Sequence, residues 1–135
     1  MVDISLLVLR LVLGVIFIAH GAQKLFGSFG GPGLKGTAGF FEQLDIKPPY
    51  LMAVLAGLAE FVGGILVAVG FLAPVAAVAL IVTMAVAVLT VHLKNGFFAQ
   101  NGGYEFNLAL AGIALTVLLA GAGALSLDGA LGILW

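Results

Sequence analysis

Four runs of mostly apolar residues, at about 4–26, 50–71, 74–93 and 104–125, dominate the chain and leave few charges between their ends. An apolar run of about 18 or more residues can cross a hydrocarbon core of roughly 30 Å as a helix, and such a run has too little polar surface to face water. The breaks between the runs are turn signals. A glycine-rich stretch with Pro32 follows the first run, Pro48 and Pro49 precede the second, Pro74 opens the third, and Lys94-Asn-Gly begins the turn before the fourth. Only 8% of the 135 residues are Asp, Glu, Lys or Arg, against 63% hydrophobic, and the mean hydropathy is +1.29. A soluble domain carries roughly 25% charged residues. The expected fold is therefore all-α, a polytopic membrane protein built as an antiparallel four-transmembrane-helix bundle, with residues 1–135 as one domain and the lipid bilayer as its main solvent.

The same composition excludes other classes. A net charge of -1 builds no basic patch for nucleic acid. The absence of cysteine removes disulfides, thiolate metal sites and cysteine redox relays from this chain. A signal peptide is the competing reading of the first run, but Asp3 stands where a basic segment is expected, and the run exceeds an h-region of roughly 7 to 15 residues.

Short connections favour an up-down-up-down arrangement, which puts both termini on one side. The opposite side receives Lys24, Lys35, Lys47 and Lys94, so the positive-inside rule makes those loops cytoplasmic and leaves both termini outside. The first loop is long for a connector. Within 34–46, Phe40, Phe41 and Leu44 fall on one side of a short helical pattern, as in a segment lying in the membrane interface.

A charge near the bilayer centre costs at least about 2.5 to 3.5 kcal/mol, so each needs a partner or a reason. Arg10 and Glu60 are the clear cases. With spans one and two counted from residues 4 and 50 in opposite directions, Glu60 falls near mid-membrane, with Arg10 roughly 6 to 8 Å to one side and His20 at a similar offset on the other. Arg10 and His20 are thus the expected partners of Glu60, and the three form the candidate catalytic group. At 100° per residue, Arg10, Gly14, Phe17, Gly21 and Lys24 share one face of span one. Ala53, Ala56, Gly57, Glu60, Gly64 and Val67 share one face of span two, and Glu105, Ala109, Gly112 and Thr116 give span four a comparable stripe. At the cytoplasmic ends, Gln23, Lys24, His92 and Glu105 form a candidate substrate-binding mouth, together with Lys94 and Asn107. The competing reading makes Arg10–Glu60 an ion pair that sets helix register and the mouth residues side chains that snorkel to water. No HxxxH, ExxH or HxxE spacing joins the histidines and glutamates, so no metal site is expected.

These residues together resemble the DoxX family of small bacterial four-helix membrane proteins. The likeness runs through Arg10-Leu-Val-Leu-Gly14, His20-Gly21-x-x-Lys24-Leu-Phe-Gly27, Glu60-Phe-Val-Gly63-Gly64, Gly70, His92 and Gly121-x-Gly123-x-x-Ser126-Leu-Asp128, and covers nearly the whole chain. Family members often carry proline in the late glycine stretch, where this chain has Ala122. The resemblance implies a bacterial inner-membrane location and a redox-linked role, as a small subunit of a quinone-linked oxidoreductase system. It implies a quinone as the cofactor. No flavin fingerprint, haem-attachment motif or cysteine ligand carries the electron here, so whether the chain is itself an enzyme stays open. The role requires a further redox subunit or a homo-oligomer. A small-solute permease and a non-catalytic assembly subunit are the alternatives.

Overall fold

The computed structural model describes residues 1–133 and 135, and among these the chain is all-helical, with no strand. Helix α1 covers Val2–Phe26, α2 Gly33–Gln43, α3 Pro49–Val69, α4 Ala73–Ala87, α5 Glu105–Ala120 and α6 Leu127–Leu131. α4 continues through a π turn, Val88–His92, and a 3-10 turn, Leu93–Asn95. Three helical stretches, Val2–Phe26, Pro49–Val69 and Ala73–Asn95, are long and apolar enough to cross a membrane. α5 has 16 residues and ends at Gly121, whose φ is 76°. At 1.5 Å per residue it is about 24 Å long, short of a full hydrocarbon core.

The helix ends follow local chemistry. Pro49 starts α3 at a position where its missing N–H costs nothing. Gly70 ends α3 with φ 73°, and its N–H bonds the carbonyls of Leu66 and Val67, as a left-handed cap requires.

α1 and α3 run antiparallel in close contact, through small residues. Gly14 lies against Ala68 and Gly64, Gly21 against the backbone of Phe61, and Gly64 against Ile18; a Cβ on any of these glycines would overlap its neighbour. Lipid gives helices no hydrophobic reason to associate, so close backbone approach must supply the attraction. α2 lies along the first turns of α3, while α4 packs on α5, and the core that joins these two layers runs through Leu13, Phe17, Val67, Leu80, Leu110 and Val117.

The small and charged faces of α1 and α3 point inward: Arg10, Gly14, Phe17 and Gly21 are buried, as are Ala53, Gly57, Glu60, Gly64 and Val67. α5 is turned the other way from its expected stripe. Its buried residues are Asn107, Leu110, Ala114 and Val117, whereas Ala109, Gly112 and Thr116 are exposed. Thr116 needs no interior partner because its hydroxyl donates to the carbonyl of Gly112 in its own helix, at 3.1 Å.

Candidate functional site

Away from the terminal end of the bundle, the two layers part around a cavity of about 1060 Å³. α1 contributes Phe17, His20, Gln23 and Lys24 to its wall, α2 contributes Thr37, and α3 contributes Glu60. The opposite wall carries Met84, His92 of the π turn, and Phe106, Asn107 and Leu110 of α5. Most of these surfaces are apolar, with polar groups set among them.

Lys24 and Glu60 form the cavity's ion pair. Lys24 Nζ lies 2.7 Å from Glu60 Oε1, and the side chains are 26% and 4% exposed. Gly57 packs beside this pair, where a Cβ would meet the end of the Leu25 side chain. The expected pairing of Glu60 with Arg10 is therefore overturned. In the observed register Arg10 lies beside Gly70, Gly21 beside Phe61 and Lys24 beside Glu60. Counting both spans from their first apolar residue misplaces α3 by about two turns, because α2 underlies the first turns of α3 and α1 extends beyond the end of α3.

The segment after α5 occupies the space beside that overhang and buries Arg10 completely. Arg10 Nη2 donates to the carbonyl of Leu125 at 2.6 Å, whereas Nε and Nη1 are buried with no partner among the described residues. A side chain at position 70 would strike the guanidinium. Asp128, 2% exposed, accepts from the N–H groups of Leu72 and Ala73 at 2.8 and 3.1 Å and from Trp135 Nε1 at 3.0 Å. It thereby caps the start of α4, and its own N–H donates to the carbonyl of Gly70 at 2.9 Å.

His20 lines the cavity with its ring centroid 6.0 Å from that of Phe106, and no side chain among the described residues hydrogen-bonds it. It is not a partner of Glu60. Gln23 also lines the cavity and donates to the carbonyl of Phe29 at 3.5 Å. His92 Nδ1 lies 2.7 Å from the carbonyl oxygen of Gly102. Glu105 is outside the wall; its Oε1 accepts from the N–H of Ala99 at 3.3 Å and ties down the turn before α5. The structure thus brings His20, Gln23, Lys24, Glu60 and His92 to one cavity and sets Arg10 and Glu105 apart from it. Among the described residues no three His, Asp or Glu side chains gather as a metal site would require.

Thr37 escaped the sequence reading. It is 3% exposed, lines the cavity, and its hydroxyl has no partner among the described residues. The hydroxyls of Thr83, Thr90 and Thr116 each bond the carbonyl four residues back, at 2.8, 2.7 and 3.1 Å. The signal that could have found Thr37 is its helical spacing to Phe40, Phe41 and Leu44, which puts it on the apolar face of α2.

The DoxX family profile matches residues 5–93, a span that contains Lys24, Thr37, Glu60 and His92. A Bacillus subtilis protein named "Putative oxidoreductase CatD" is 32% identical over 126 residues, covering 93% of this chain and 86% of its own. Two Escherichia coli inner membrane proteins are each 30% identical: YphA, covering 93% of this chain and 89% of its own, and YqjF, covering 98% and 96%. No solved structure gives a significant match.

Proposed function

The chain belongs to the DoxX family of membrane proteins, and on that premise we propose that it is a small integral subunit of a quinone-linked oxidoreductase of the bacterial inner membrane, with its cavity as the quinone site. The observation that carries this reading is the cavity of about 1060 Å³, apolar over most of its wall, with the Lys24–Glu60 pair and His92 facing the same space. Ligand sites commonly enclose about 300 to 1,000 Å³, with apolar walls and a few placed polar groups. The residues present fit a quinone. Phe17, Met84 and Leu110 offer the ring and tail an apolar wall, and the unpartnered Thr37 hydroxyl awaits a polar group.

A bound quinone supplies a carrier of two electrons and two protons. Lys24 spends one N–H on Glu60, which leaves two ammonium protons to bond a ring oxygen. Glu60 accepts the third proton's bond and holds the ammonium at the cavity wall. Electrons reach the site through a partner subunit, since the chain carries no cysteine and no flavin or haem-attachment motif.

In this reading α5 is the fourth span of an antiparallel bundle, its shortness met by local thinning of the bilayer. Both termini face outward, and the loops with Lys35, Lys47 and Lys94 face the cytoplasm. Because the chain is cysteine-free, Lys35→Cys introduces a single label site. Labelling of that residue from outside intact cells reverses the proposed direction.

The test of function is extraction of the protein purified from bacterial membranes in mild detergent, followed by mass spectrometry of the lipid fraction. The expected result is a quinone retained in proportion to protein and lost on Lys24→Met. A wild-type protein that retains none and binds none when it is added overturns the proposal.

A further inference from the structure

The geometry points to a cavity that takes the reduced, hydroxyl-bearing form of its ring ligand in preference to the oxidised, carbonyl-bearing form, with His92 Nε2 as the group that distinguishes them and Thr37 Oγ1 as a contact both forms share. This inference rests on the reading of the cavity as a quinone site.

The argument begins with the Gly102 carbonyl. Its oxygen only accepts, so the 2.7 Å contact to His92 requires the hydrogen to sit on Nδ1. Asn95 Nδ2 donates to the same oxygen at 3.1 Å, and this second bond holds the carbonyl in place. With the ring's single hydrogen on Nδ1, its lone pair lies on Nε2, for which no donor is found among the described residues. The π turn Val88–His92 breaks the regular rotation of α4 just where His92 joins the cavity wall, and single π turns recur at functional sites.

The second observation is independent and lies on the other layer. A buried hydroxyl left unbonded costs about 1 to 3 kcal/mol, yet Thr37 leaves the carbonyl four residues back unused, unlike the chain's other threonines. Its place in the cavity wall makes a ligand oxygen the natural partner.

Both ligand forms can satisfy Thr37, because a hydroxyl donates to a carbonyl and accepts from another hydroxyl. Both can accept from Lys24. Only the reduced form can satisfy His92, since a carbonyl oxygen would set its lone pair against that of Nε2. The site therefore sees a difference of one hydrogen bond between the two forms, and it falls on His92.

The test measures binding of ubiquinone-1 and of anaerobically reduced ubiquinol-1 to the purified full-length protein in nanodiscs. Tighter binding of the quinol by about tenfold is expected, the equivalent of one well-made hydrogen bond. It corresponds to a rise of about 30 mV in the midpoint potential of the bound couple. His92→Phe should remove the preference, and Thr37→Val should weaken both forms by a similar factor of about five to ten. Where His92→Phe fails to fold, the histidine ring 15N spectrum of the wild type decides: the Nε2 signal must move on adding quinol and stay on adding quinone. Equal affinity for the two forms, tighter quinone binding, or a preference that survives His92→Phe overturns the inference while leaving the quinone site standing. Failure of both forms to bind removes the quinone site itself.

Discussion

The two ends of the bundle handle buried charge in opposite ways. At the terminal end Arg10 is 0% exposed and sealed under Gly70 and the carbonyl of Leu125, with Asp128 spending its oxygens on backbone N–H groups and on Trp135. At the other end Lys24 is 26% exposed, pairs directly with Glu60, and both border a cavity. The first arrangement joins α1, the α3–α4 turn and the C-terminal segment, so its charges act on the fold. The second keeps donors unspent beside open space, so its charges can act on a ligand. An intramembrane charge is thus not functional merely because it is expensive.

Arg10→Leu should produce the largest effect. It removes the charge-assisted bond to the Leu125 carbonyl and leaves a void under Gly70, which together cost on the order of 3 to 5 kcal/mol. Thermal melting of the detergent-solubilised protein, followed by circular dichroism, should show this as a large fall in midpoint or as failure to accumulate. Wild-type stability with abolished quinone binding would invert the contrast between the two ends. Gly70→Ala should come next, at about 1 to 3 kcal/mol, because alanine is strained at positive φ and its methyl would displace the Arg10 guanidinium. The same measurement reads it, and Gly112→Ala is the control, since nothing lies within 4 Å of a Cβ there.

The inward faces of α1 and α3 were legible in the sequence because glycine and alanine recur at helical spacing, and only small residues permit such close approach. Arg10 and Glu60 also stood out, as charges in apolar runs must. Their partners did not. Pairing across two antiparallel helices depends on register, and register here depends on how α2 underlies α3 and how the C-terminal segment fills the overhang of α1. Periodicity within one helix carries no information about either. The outward stripe of α5 misled for a related reason: a threonine bonded within its own helix looks like a polar residue seeking the interior. Thr37 was hidden by the reverse case, a hydroxyl that sits on an apolar face and leaves its own helix unbonded.

Glu60→Gln should separate stability from function at the cavity end. Glutamine retains an acceptor for Lys24 and nearly the same shape, and the pair is partly solvated, so the melting midpoint should fall by no more than about 1 kcal/mol equivalent. Quinone affinity should fall about tenfold, because the ammonium loses the charge that holds it in place. Equal titration experiments on the two proteins check this. A large fall in stability with unchanged affinity would make Lys24–Glu60 a structural contact, as Arg10 is at the other end.

The smallest effect should also carry an unusual sign. In most helices a threonine hydroxyl bonded to its own backbone contributes little either way, and Thr83, bonded to the carbonyl of Ala79 at 2.8 Å, belongs to that group. Thr37 differs, because its hydroxyl is removed from water and given nothing in return. Replacing it with valine keeps the branched shape and removes the unsatisfied group. Thr37→Val should therefore raise the stability of ligand-free protein by up to about 1 kcal/mol, whereas Thr83→Val should leave it within about 0.5 kcal/mol. The sign should reverse in saturating quinone, since only the wild type then gains the missing bond and binding stabilises by mass action. Melting curves of both variants with and without ubiquinone-1 supply the four values needed. If Thr37→Val were destabilising without ligand, its hydroxyl would already have a partner, and the cavity would lose one of the two groups set aside for an occupant.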